Sequence, residues 1–180
     1  MEFRKLRIDG LFEITPRKFN DNRGYFFESF NEKTFAEAGL NIKFLQDNQS
    51  YSIPNVIRGL HFQKPPFAQG KLVRVLKGRI LDVAVDLRID SPTFGQWESL
   101  ILDSDKCNMI YVPEGFAHGF ATLEESMVFY KCTNIYDKTS ESGLNWNDSE
   151  LQIDWKISSP LVSEKDQELK FLKDFIKETK

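Results

Sequence analysis

The sequence predicts a mainly β protein built as a sandwich or barrel, with a few short helices. Three observations lead to this fold class. Short apolar runs recur between turn signals, two segments alone show helical spacing, and 41% of the 180 residues are hydrophobic. A jelly roll is one way to close such a set of strands, although periodicity does not select the topology. The length suits a single domain over residues 1–180.

The predicted strands occupy the middle of the chain. Residues 73–76 and 79–81 flank Lys77-Gly78, and this pattern predicts a β-hairpin with a tight turn. Further short strands are expected over residues 82–86, 100–102, 109–112 and 127–130. Turn-forming residues rich in Asp, Ser, Gly and Pro separate these strands, as is typical of sandwiches and barrels.

Two helices are expected, one on each side of the strands. Asn31 is a good N-cap, Phe35 supplies an apolar face, and Gly39 is suited to end the first helix. Near the C-terminus, Ser163 and Asp166 resemble a capping box. Apolar residues then recur at helical spacing, at Leu169, Leu172, Phe175 and Ile176. The pattern therefore predicts a C-terminal helix.

The charge and cysteine content narrow the functional classes. A net charge of -3 and a pI of about 5.5 argue against nucleic-acid binding, which normally needs a basic face. A phosphorylated small ligand remains compatible, because a few well-placed cations suffice to bind it.

The N-terminus is too charged for a signal peptide, and no apolar run approaches a membrane span. Cys107 and Cys132 form no motif, which predicts free thiols in a reducing compartment and a cytoplasmic location.

The sequence contains two histidines, His61 and His118. The segment Pro113-Glu114-Gly115-Phe116-Ala117-His118 resembles the second motif of cupins, where the histidine joins two others and a glutamate around a metal. The His-x-His of the first cupin motif is absent, since Phe62 and Gln63 follow His61. A site with two histidines and one carboxylate stays open, but nothing in the spacing selects it. The prediction is therefore no bound metal.

Without a metal, His61 is a candidate base, because imidazole gains and loses a proton near neutrality. The competing interpretation is a buried, hydrogen-bonded histidine. Arg58 and Lys71 lie nearby in sequence and make a charged site plausible. In a regular strand Arg58 and His61 would point to opposite faces, and a bulge at Gly59 would bring them to one face.

Other candidate groups also have two interpretations. Tyr130 shares a strand face with Val128 and Cys132, so it is either a core residue or a proton donor. Tyr136 can present an aromatic face to a ligand. Arg23 lies in a turn-like segment, where a solvated charge is the ordinary role. Asp166 either belongs to a helix start or orients His61 and stabilises its imidazolium form.

An ordered set of segments carries a family resemblance. The segments are Asp21-Asn22-Arg23-Gly24-Tyr25-Phe26-Phe27-Glu28, Gln46-Asp47-Asn48, Arg58-Gly59-Leu60-His61-Phe62-Gln63, Gln69-Gly70-Lys71-Leu72-Val73, Asp82-Val83-Ala84-Val85-Asp86, Ser91-Pro92-Thr93-Phe94-Gly95, Tyr111-Val112-Pro113-Glu114-Gly115-Phe116-Ala117-His118-Gly119-Phe120, Trp146-Asn147-Asp148 and Ser163-Glu164-Lys165-Asp166. Each is weak alone. Together, over about residues 10–166, they resemble the dTDP-4-dehydrorhamnose 3,5-epimerase family.

The resemblance implies a cupin-like jelly roll, a homodimer, no cofactor, and epimerisation beside the ketone of a nucleotide-linked 4-keto-6-deoxy sugar. It makes His61 the base, Asp166 its partner, Tyr130 the acid on the opposite face, and Lys71 the cation that stabilises the enolate. Substrate-binding roles follow for Arg23, Glu28, Gln46, Asn48, Arg58, His118, Tyr136, Glu141 and Lys165. Arg23, Glu28, Gln46 and Asn48 would act partly across the dimer. Bacterial surface-polysaccharide synthesis is the implied pathway.

Several alternatives stay open at this point. The substrate is either dTDP-linked or GDP-linked, such as a heptose, and the enzyme inverts C3, C5 or both. A ketoisomerase would use a related enediolate. A protein of another class, a cupin-fold sugar-binding or metal-dependent protein, would share the fold without the epimerase activity. No nucleic-acid or membrane partner is expected.

Overall fold

The computed structural model describes residues 1–179 and confirms a mainly β, jelly-roll type sandwich whose sheets remain open. The strands, in chain order, are β1 (Glu2–Lys5), β2 (Phe12–Thr15), β3 (Phe19–Asp21), β4 (Gly24–Phe26), β5 (Gln46–Ser52), β6 (Val56–Gln63), β7 (Lys71–Lys77), β8 (Arg79–Asp86), β9 (Trp97–Asp103), β10 (Met109–Val112), β11 (Phe116–Thr122), β12 (Ser126–Cys132), β13 (Glu141–Gly143) and β14 (Leu161–Val162). The helices are α1 (Glu32–Glu37), α2 (Glu164–Gln167) and α3 (Leu172–Thr179).

The strands form two facing sheets and a separate hairpin. The first sheet has the order β1-β2-β10-β7-β12-β5. The second has the order β13-β6-β11-β8-β9, with β14 added in parallel to β6. Strands β3 and β4 pair only with each other within the described residues. Every other pairing is antiparallel.

Three apolar clusters among the described residues bury the faces of the sheets. The space between the sheets is filled from both sides, for example by Val73 and Val128 of the first sheet and Ile80 and Phe120 of the second. Helix α1 covers the outer face of the first sheet through Phe35. The C-terminal segment covers the outer face of the second sheet. Alternate residues of the strands in the two facing sheets therefore point into the space between the sheets.

The predicted hairpin at Lys77-Gly78 is wrong. Strand β7 pairs with β10 and β12, whereas β8 pairs with β9 and β11, so the chain crosses from one sheet to the other at Gly78. Gly78 has a φ of +83°, and a Cβ there would lie 2.2 Å from the carbonyl oxygen of Glu125. A tight turn between two strands looks the same in sequence whether the strands pair or separate into two sheets.

The first helix is confirmed. Helix α1 spans Glu32–Glu37, and the Asn31 side chain accepts a hydrogen bond from the Thr34 amide as its N-cap. Gly39 follows with a φ of +85°, in the left-handed region that favours glycine. The local signals in this segment agree with each other, so the helix was predictable.

The C-terminal segment forms two short helices instead of one. Ser163 Oγ accepts a hydrogen bond from the Asp166 amide, as expected for an N-cap, but the Asp166 carboxylate leaves the helix to contact other residues. Residues 168–171 then run beside Leu144 and Asn145, where Lys170 forms a bridge with Leu144. Pairing with this neighbouring segment interrupts the helix despite its apolar periodicity.

None of the helices found over residues 1–179 combines the length and the apolar character required to cross a membrane.

Candidate active site

Two adjoining cavities lie in the space that opens between the sheets. The first, called here the histidine cavity, has a volume of about 280 Å³ and is lined by Ser50, Arg58, His61, Lys71, Val73, His118, Gly119, Phe120, Tyr130, Ser163, Lys165 and Asp166. The second, the glutamine cavity, has a volume of about 290 Å³ and is lined by Gln46, Asn48, His61, Phe62, Gln63, Gln69, Lys71, Tyr130, Tyr136 and Glu141. His61, Lys71 and Tyr130 line both, so they stand where the cavities meet.

A bulge in β6 brings Arg58 and His61 to the same face. His118 of β11 pairs with His61 and Phe120 pairs with Arg58, so β6 uses one extra residue between the two pairs. Gly59 makes this possible, because it has a φ of +124° and its Cα side packs against Gly119. A Cβ on Gly59 would lie 2.6 Å from the Gly119 Cα. The structure thus settles the alternative that the sequence left open, and both side chains line the histidine cavity.

His61 is held by a buried carboxylate. Its Nε2 lies 2.7 Å from Asp166 Oδ1, while Asp166 Oδ2 accepts a hydrogen bond from the Gly59 amide at 3.2 Å. Burial acts to raise the pKa of Asp166, but the hydrogen bond and the charge of His61 outweigh it, so the pKa lies below its usual value. An ionised Asp166 accepts from Nε2–H, which leaves the lone pair on Nδ1 of His61 to accept a proton.

His118 forms a second pair with a carboxylate. Its Nε2 lies 2.9 Å from both oxygens of Asp82, which is fully buried on the neighbouring strand β8. The His118 side chain is 7% exposed, compared with 31% for His61. His118 is thus enclosed by the protein. It lines the histidine cavity, but less of its ring is exposed than that of His61.

Lys71 and Tyr130 face these pairs from the opposite sheet. Burial lowers the pKa of Lys71, although Cys132, Asp82 and Glu141 act against the shift. Burial also raises the pKa of the Tyr130 phenol, while Arg58 partly offsets the rise. Within residues 1–179, no side chain hydrogen-bonds to the Lys71 ammonium or the Tyr130 hydroxyl, so both groups are available to a bound molecule.

Arg58 is anchored at the edge of the histidine cavity. Its Nε donates to Ser52 Oγ at 2.9 Å, and its Nη2 donates to the backbone oxygen of Tyr51 at 3.2 Å. Ser52 is buried on β5. These contacts fix the guanidinium and leave further N–H groups for an anionic or polar ligand.

The residues of the glutamine cavity form a connected polar set. Gln46 accepts from the Tyr136 amide at 2.8 Å and donates to Asn48 at 3.0 Å. The Tyr136 hydroxyl donates to Glu141 at 2.8 Å, and Glu141 also accepts from Lys165 at 2.6 Å. Burial acts to raise the pKa of Glu141, but the hydrogen bonds from Lys165 and Tyr136 leave it lowered. Tyr136 itself is half exposed, with a face open to a planar ligand.

Arg23 and Glu28 lie away from both cavities. Arg23 is on the β3–β4 hairpin, where its exposed side chain pairs with Asp21. Glu28 accepts a hydrogen bond from Asn31 beside helix α1. The other predicted site residues all line one of the two cavities, so these two are the exceptions within the chain.

Several groups at the site were missed from sequence, among them Asp82, Gln63 and Ser50. Asp82 had a usable signal, since a carboxylate inside an apolar strand needs a partner when buried. Gln63 also lines the glutamine cavity and donates to the backbone oxygens of Phe67 and Ile135. Ser50 lines the histidine cavity, and its Oγ is buried without a hydrogen-bond partner in the described part of the chain. No feature of the sequence distinguishes Ser50 from an ordinary strand serine.

The combined arrangement suits acid–base chemistry. The His61–Asp166 pair, carried by β6 of the second sheet and by helix α2, faces a phenol and an ammonium on the first sheet, across a cavity large enough for part of a small ligand. Such a set can remove a proton from one side of a bound molecule, stabilise the resulting negative charge, and return a proton from the other side. Over residues 1–179, no group of three or more His, Cys, Asp or Glu side chains is arranged to hold a metal ion.

Comparison with known proteins identifies the family. A family model described as dTDP-4-dehydrorhamnose 3,5-epimerase matches residues 5–174. The crystal structure of dTDP-4-dehydrorhamnose 3,5-epimerase from Elizabethkingia anophelis is 50% identical, with a TM-score of 0.92 and 97% of each chain covered. The Bacillus anthracis enzyme of the same name, solved with TDP and PPi bound, is 47% identical, with a TM-score of 0.93, 95% of this chain covered and 99% of its own.

A relative with a narrower activity is also similar. A dTDP-4-dehydrorhamnose 3-epimerase from Streptomyces niveus is 41% identical over 170 residues, covering 93% of this chain and 82% of its own. Both kinds of enzyme are sugar epimerases. The chain therefore belongs to the dTDP-4-dehydrorhamnose 3,5-epimerase family and is an enzyme of the isomerase class, a carbohydrate epimerase.

Proposed function

We propose that this enzyme inverts C3 and C5 of a dTDP-linked 4-keto-6-deoxy sugar by removing and returning protons through an enolate. The observation that carries the proposal is the His61–Asp166 pair, which faces Lys71 and Tyr130 across the histidine cavity. The dTDP-linked substrate is supported by the names of the relatives and by the TDP in the Bacillus anthracis structure.

His61 is the proposed base. The C4 ketone acidifies the protons on C3 and C5, because the negative charge left by proton removal spreads onto the ketone oxygen. Nδ1 of His61 accepts the proton while Nε2–H stays bonded to Asp166. The ionised Asp166 then stabilises the imidazolium that forms. Its backbone contact with Gly59 keeps the carboxylate in place during this change.

Lys71 is the proposed enolate partner. Its ammonium lines both cavities from β7 and carries a positive charge without a protein hydrogen bond in the described residues. A buried cation stabilises a developing oxyanion more strongly than an exposed one, because water does not screen it. The charge of the enolate oxygen and that of Lys71 offset each other only once the proton has left carbon, so the contact favours the transition state.

Tyr130 is the proposed acid. It stands on β12 of the first sheet, opposite the sheet that carries His61. Its O–H donates the proton to the enolate carbon from the face opposite His61, which inverts the centre. Because burial raises the pKa of Tyr130, the phenol is protonated at neutral pH and ready to donate. Proton removal and return leave the oxidation state unchanged, so the proposed reaction requires no redox cofactor.

The nucleotide end is proposed to occupy the glutamine cavity. Tyr136 offers its exposed face to the base, and Gln46, Asn48, Glu141 and Lys165 supply donors and acceptors. Arg58 and His118 are proposed to bind the sugar and phosphates. Arg23 and Glu28 lie too far away within one chain, so we propose that they serve the site of a second subunit in a homodimer. The proposed location is the cytoplasm, and the two free cysteines, Cys107 and Cys132, are compatible with it.

A single-centre reaction is the second candidate, because the Streptomyces niveus relative is named a 3-epimerase. His61 and Tyr130 would serve that reaction equally. The number of inverted centres depends on how far the sugar ring can turn between the two catalytic groups. We place the enzyme in bacterial surface-polysaccharide sugar synthesis, on the strength of the family alone.

One experiment separates these candidates. The purified enzyme is incubated in deuterated water with dTDP-4-keto-6-deoxyglucose and, in parallel, with a GDP-linked 4-keto sugar, and the products are followed by NMR. We expect deuterium and inversion at both C3 and C5 of the dTDP sugar, and much slower turnover of the GDP sugar. Inversion at one carbon would establish the second candidate. Absence of exchange at both carbons, or stoichiometric iron or zinc in the active enzyme, would contradict both candidates.

A further inference from the structure

Ser50 lies beside Tyr130 on the inner face of the first sheet. On β5 and β12, Ser50 pairs with Val128 and Asn48 pairs with Tyr130. Ser50 and Tyr130 are therefore diagonal neighbours on one sheet face, with Cβ atoms about 7–8 Å apart. A long tyrosine side chain spans such a distance. Both residues line the histidine cavity.

Two hydroxyl groups at this place are unsatisfied. The Ser50 Oγ is buried and has no hydrogen-bond partner in the described chain. The Tyr130 hydroxyl has none in residues 1–179 either. The neighbouring serine on the same strand, Ser52, is occupied, because it accepts a hydrogen bond from Arg58. A buried polar atom without a partner is rare in folded proteins and calls for a structural or functional reason.

The chemistry of the acid supplies such a reason. When Tyr130 gives its proton to the enolate carbon, a C–H bond forms from the enolate electron pair and the O–H bond breaks. The negative charge then lies on the phenolate oxygen, inside a buried site that disfavours it. Arg58 supplies one nearby positive charge. A hydrogen-bond donor that is idle before the step and available after it would stabilise the phenolate further.

We propose that Ser50 is a positioning residue for Tyr130, and that its hydroxyl donates a hydrogen bond to the Tyr130 oxygen, directly or through one water, when the phenolate forms. A rotation of Ser50 about χ1, between staggered rotamers, redirects the hydroxyl into the cavity. Ser50 transfers no proton of its own. The inference rests on the proposed function, because it needs Tyr130 to act as the acid.

The test compares Ser50→Ala with Ser126→Ala, both assayed in deuterated water with dTDP-4-keto-6-deoxyglucose. Ser126 is a matched control, since it is a buried serine on the same strand as Tyr130 but its hydroxyl donates to backbone oxygens away from the cavity. Hydrogen bonds to charged groups predict that Ser50→Ala slows inversion about 10- to 100-fold. Solvent exchange, which begins at His61, should stay within about threefold of the wild type. Ser126→Ala should leave the ratio of inversion to exchange unchanged.

A second readout depends on Tyr130 itself. Adding Ser50→Ala to Tyr130→Phe should cause no further loss of inversion, because the group that Ser50 serves is gone. The ultraviolet titration of Tyr130, obtained as the difference from Tyr130→Phe, should move to higher pH in Ser50→Ala. Equal losses of exchange and inversion, an additive double variant, or an unchanged titration would overturn the role of Ser50. If the wild type neither exchanges nor inverts, the proposed function fails instead, so the two failures are distinguishable.

Discussion

The molecule holds two histidine–carboxylate pairs that differ in geometry and in exposure to the cavity. His61 and Asp166 come from segments 105 residues apart and share one short contact at the cavity. His118 and Asp82 stand on adjacent strands, where both carboxylate oxygens surround one ring nitrogen. His61 keeps 31% of its side chain exposed, whereas His118 keeps 7%. The proposed base is therefore the histidine that is open to the cavity, and the enclosed histidine is proposed to bind the ligand.

The two pairs also differ in what holds them. Asp82 is part of a continuous strand whose neighbours are core residues. Asp166 belongs to the four-residue helix α2, which meets the second sheet through β14 and the Gly59 amide. We therefore assign His118–Asp82 to the framework and ligand binding, and His61–Asp166 to proton transfer. The following experiments test this assignment of different roles to the two pairs.

The largest effect is expected for His61→Asn. Loss of a general base lowers the rate about 100- to 10,000-fold, so kcat/KM should fall by at least that order. The fold should survive, because the ring is partly exposed, and thermal unfolding should show a small change in Tm. His118→Asn is the matched variant, and it should lower Tm more than His61→Asn does. If His61→Asn kept the wild-type kcat/KM, the assignment of proton transfer to His61 would be wrong.

Tyr130→Phe is expected to come next. The variant lacks the hydroxyl that returns a proton to the enolate carbon, but His61 still removes the proton from the substrate. Inversion should fall about 100-fold or more, while deuterium exchange on the His61 side falls much less. NMR of the recovered substrate and product measures both quantities in one sample. Equal losses of exchange and inversion would count against Tyr130 as the acid.

The carboxylates give a smaller, paired prediction. Asp166→Asn removes the charge that stabilises imidazolium and should lower kcat about 10- to 100-fold. Asp82→Asn should instead reduce the free energy of unfolding by about 1–3 kcal/mol, because it disturbs a buried hydrogen-bonded pair. Denaturant unfolding and steady-state rates of the two variants measure the contrast. The reverse pattern, with Asp82→Asn limiting kcat and Asp166→Asn limiting stability, would refute it.

The lowered pKa of Asp166 also predicts how protein stability changes with pH. Its pKa in the folded protein is lower than the usual value, so the carboxylate stabilises the fold above its unfolded pKa. This contribution is lost as the pH falls through the folded pKa. The stability difference between the wild type and Asp166→Asn should therefore be largest near neutral pH and shrink below about pH 4. A difference that grows toward acid pH would contradict the assigned charge.

The smallest expected effect is on the alkaline limb of the activity. Burial lowers the pKa of Lys71, so its ammonium loses the proton at a lower pH than an ordinary lysine. The charge is present below that pKa and is lost above it, so kcat/KM should fall as the pH rises. Lys71→Arg keeps its charge and should move this limb to higher pH. An unchanged limb in Lys71→Arg would assign the titration to another group.

The sequence was most informative where local signals agree. The Asn31 cap, the Gly39 end and the inward face of Tyr130 follow from short-range rules, and the structure confirms each. The bulge at Gly59 was left open by the same rules, and only the strand register decides it. The fold class also follows, because short strands between turns leave few other architectures.

Contacts between segments that are distant in sequence could not be predicted by the same reasoning. Whether the strands beside Gly78 pair or part depends on partners elsewhere in the chain, so the hairpin prediction failed. The C-terminal helix is broken by pairing with Leu144, which its own periodicity does not reveal. The contact between His61 and Asp166 spans most of the chain, and only the family resemblance pointed to it. Ser50 was missed because its significance lies in a partner that it lacks.

The most direct test of the central claim is the position-resolved exchange of C3 and C5 protons under single-turnover conditions. The wild type, His61→Asn and His118→Asn are each mixed in deuterated water with dTDP-4-keto-6-deoxyglucose, and NMR follows both carbons. The account predicts exchange at both carbons by the wild type, measurable exchange by His118→Asn at high substrate concentration, and none above background by His61→Asn. Exchange by His61→Asn at the wild-type rate at either carbon would contradict it.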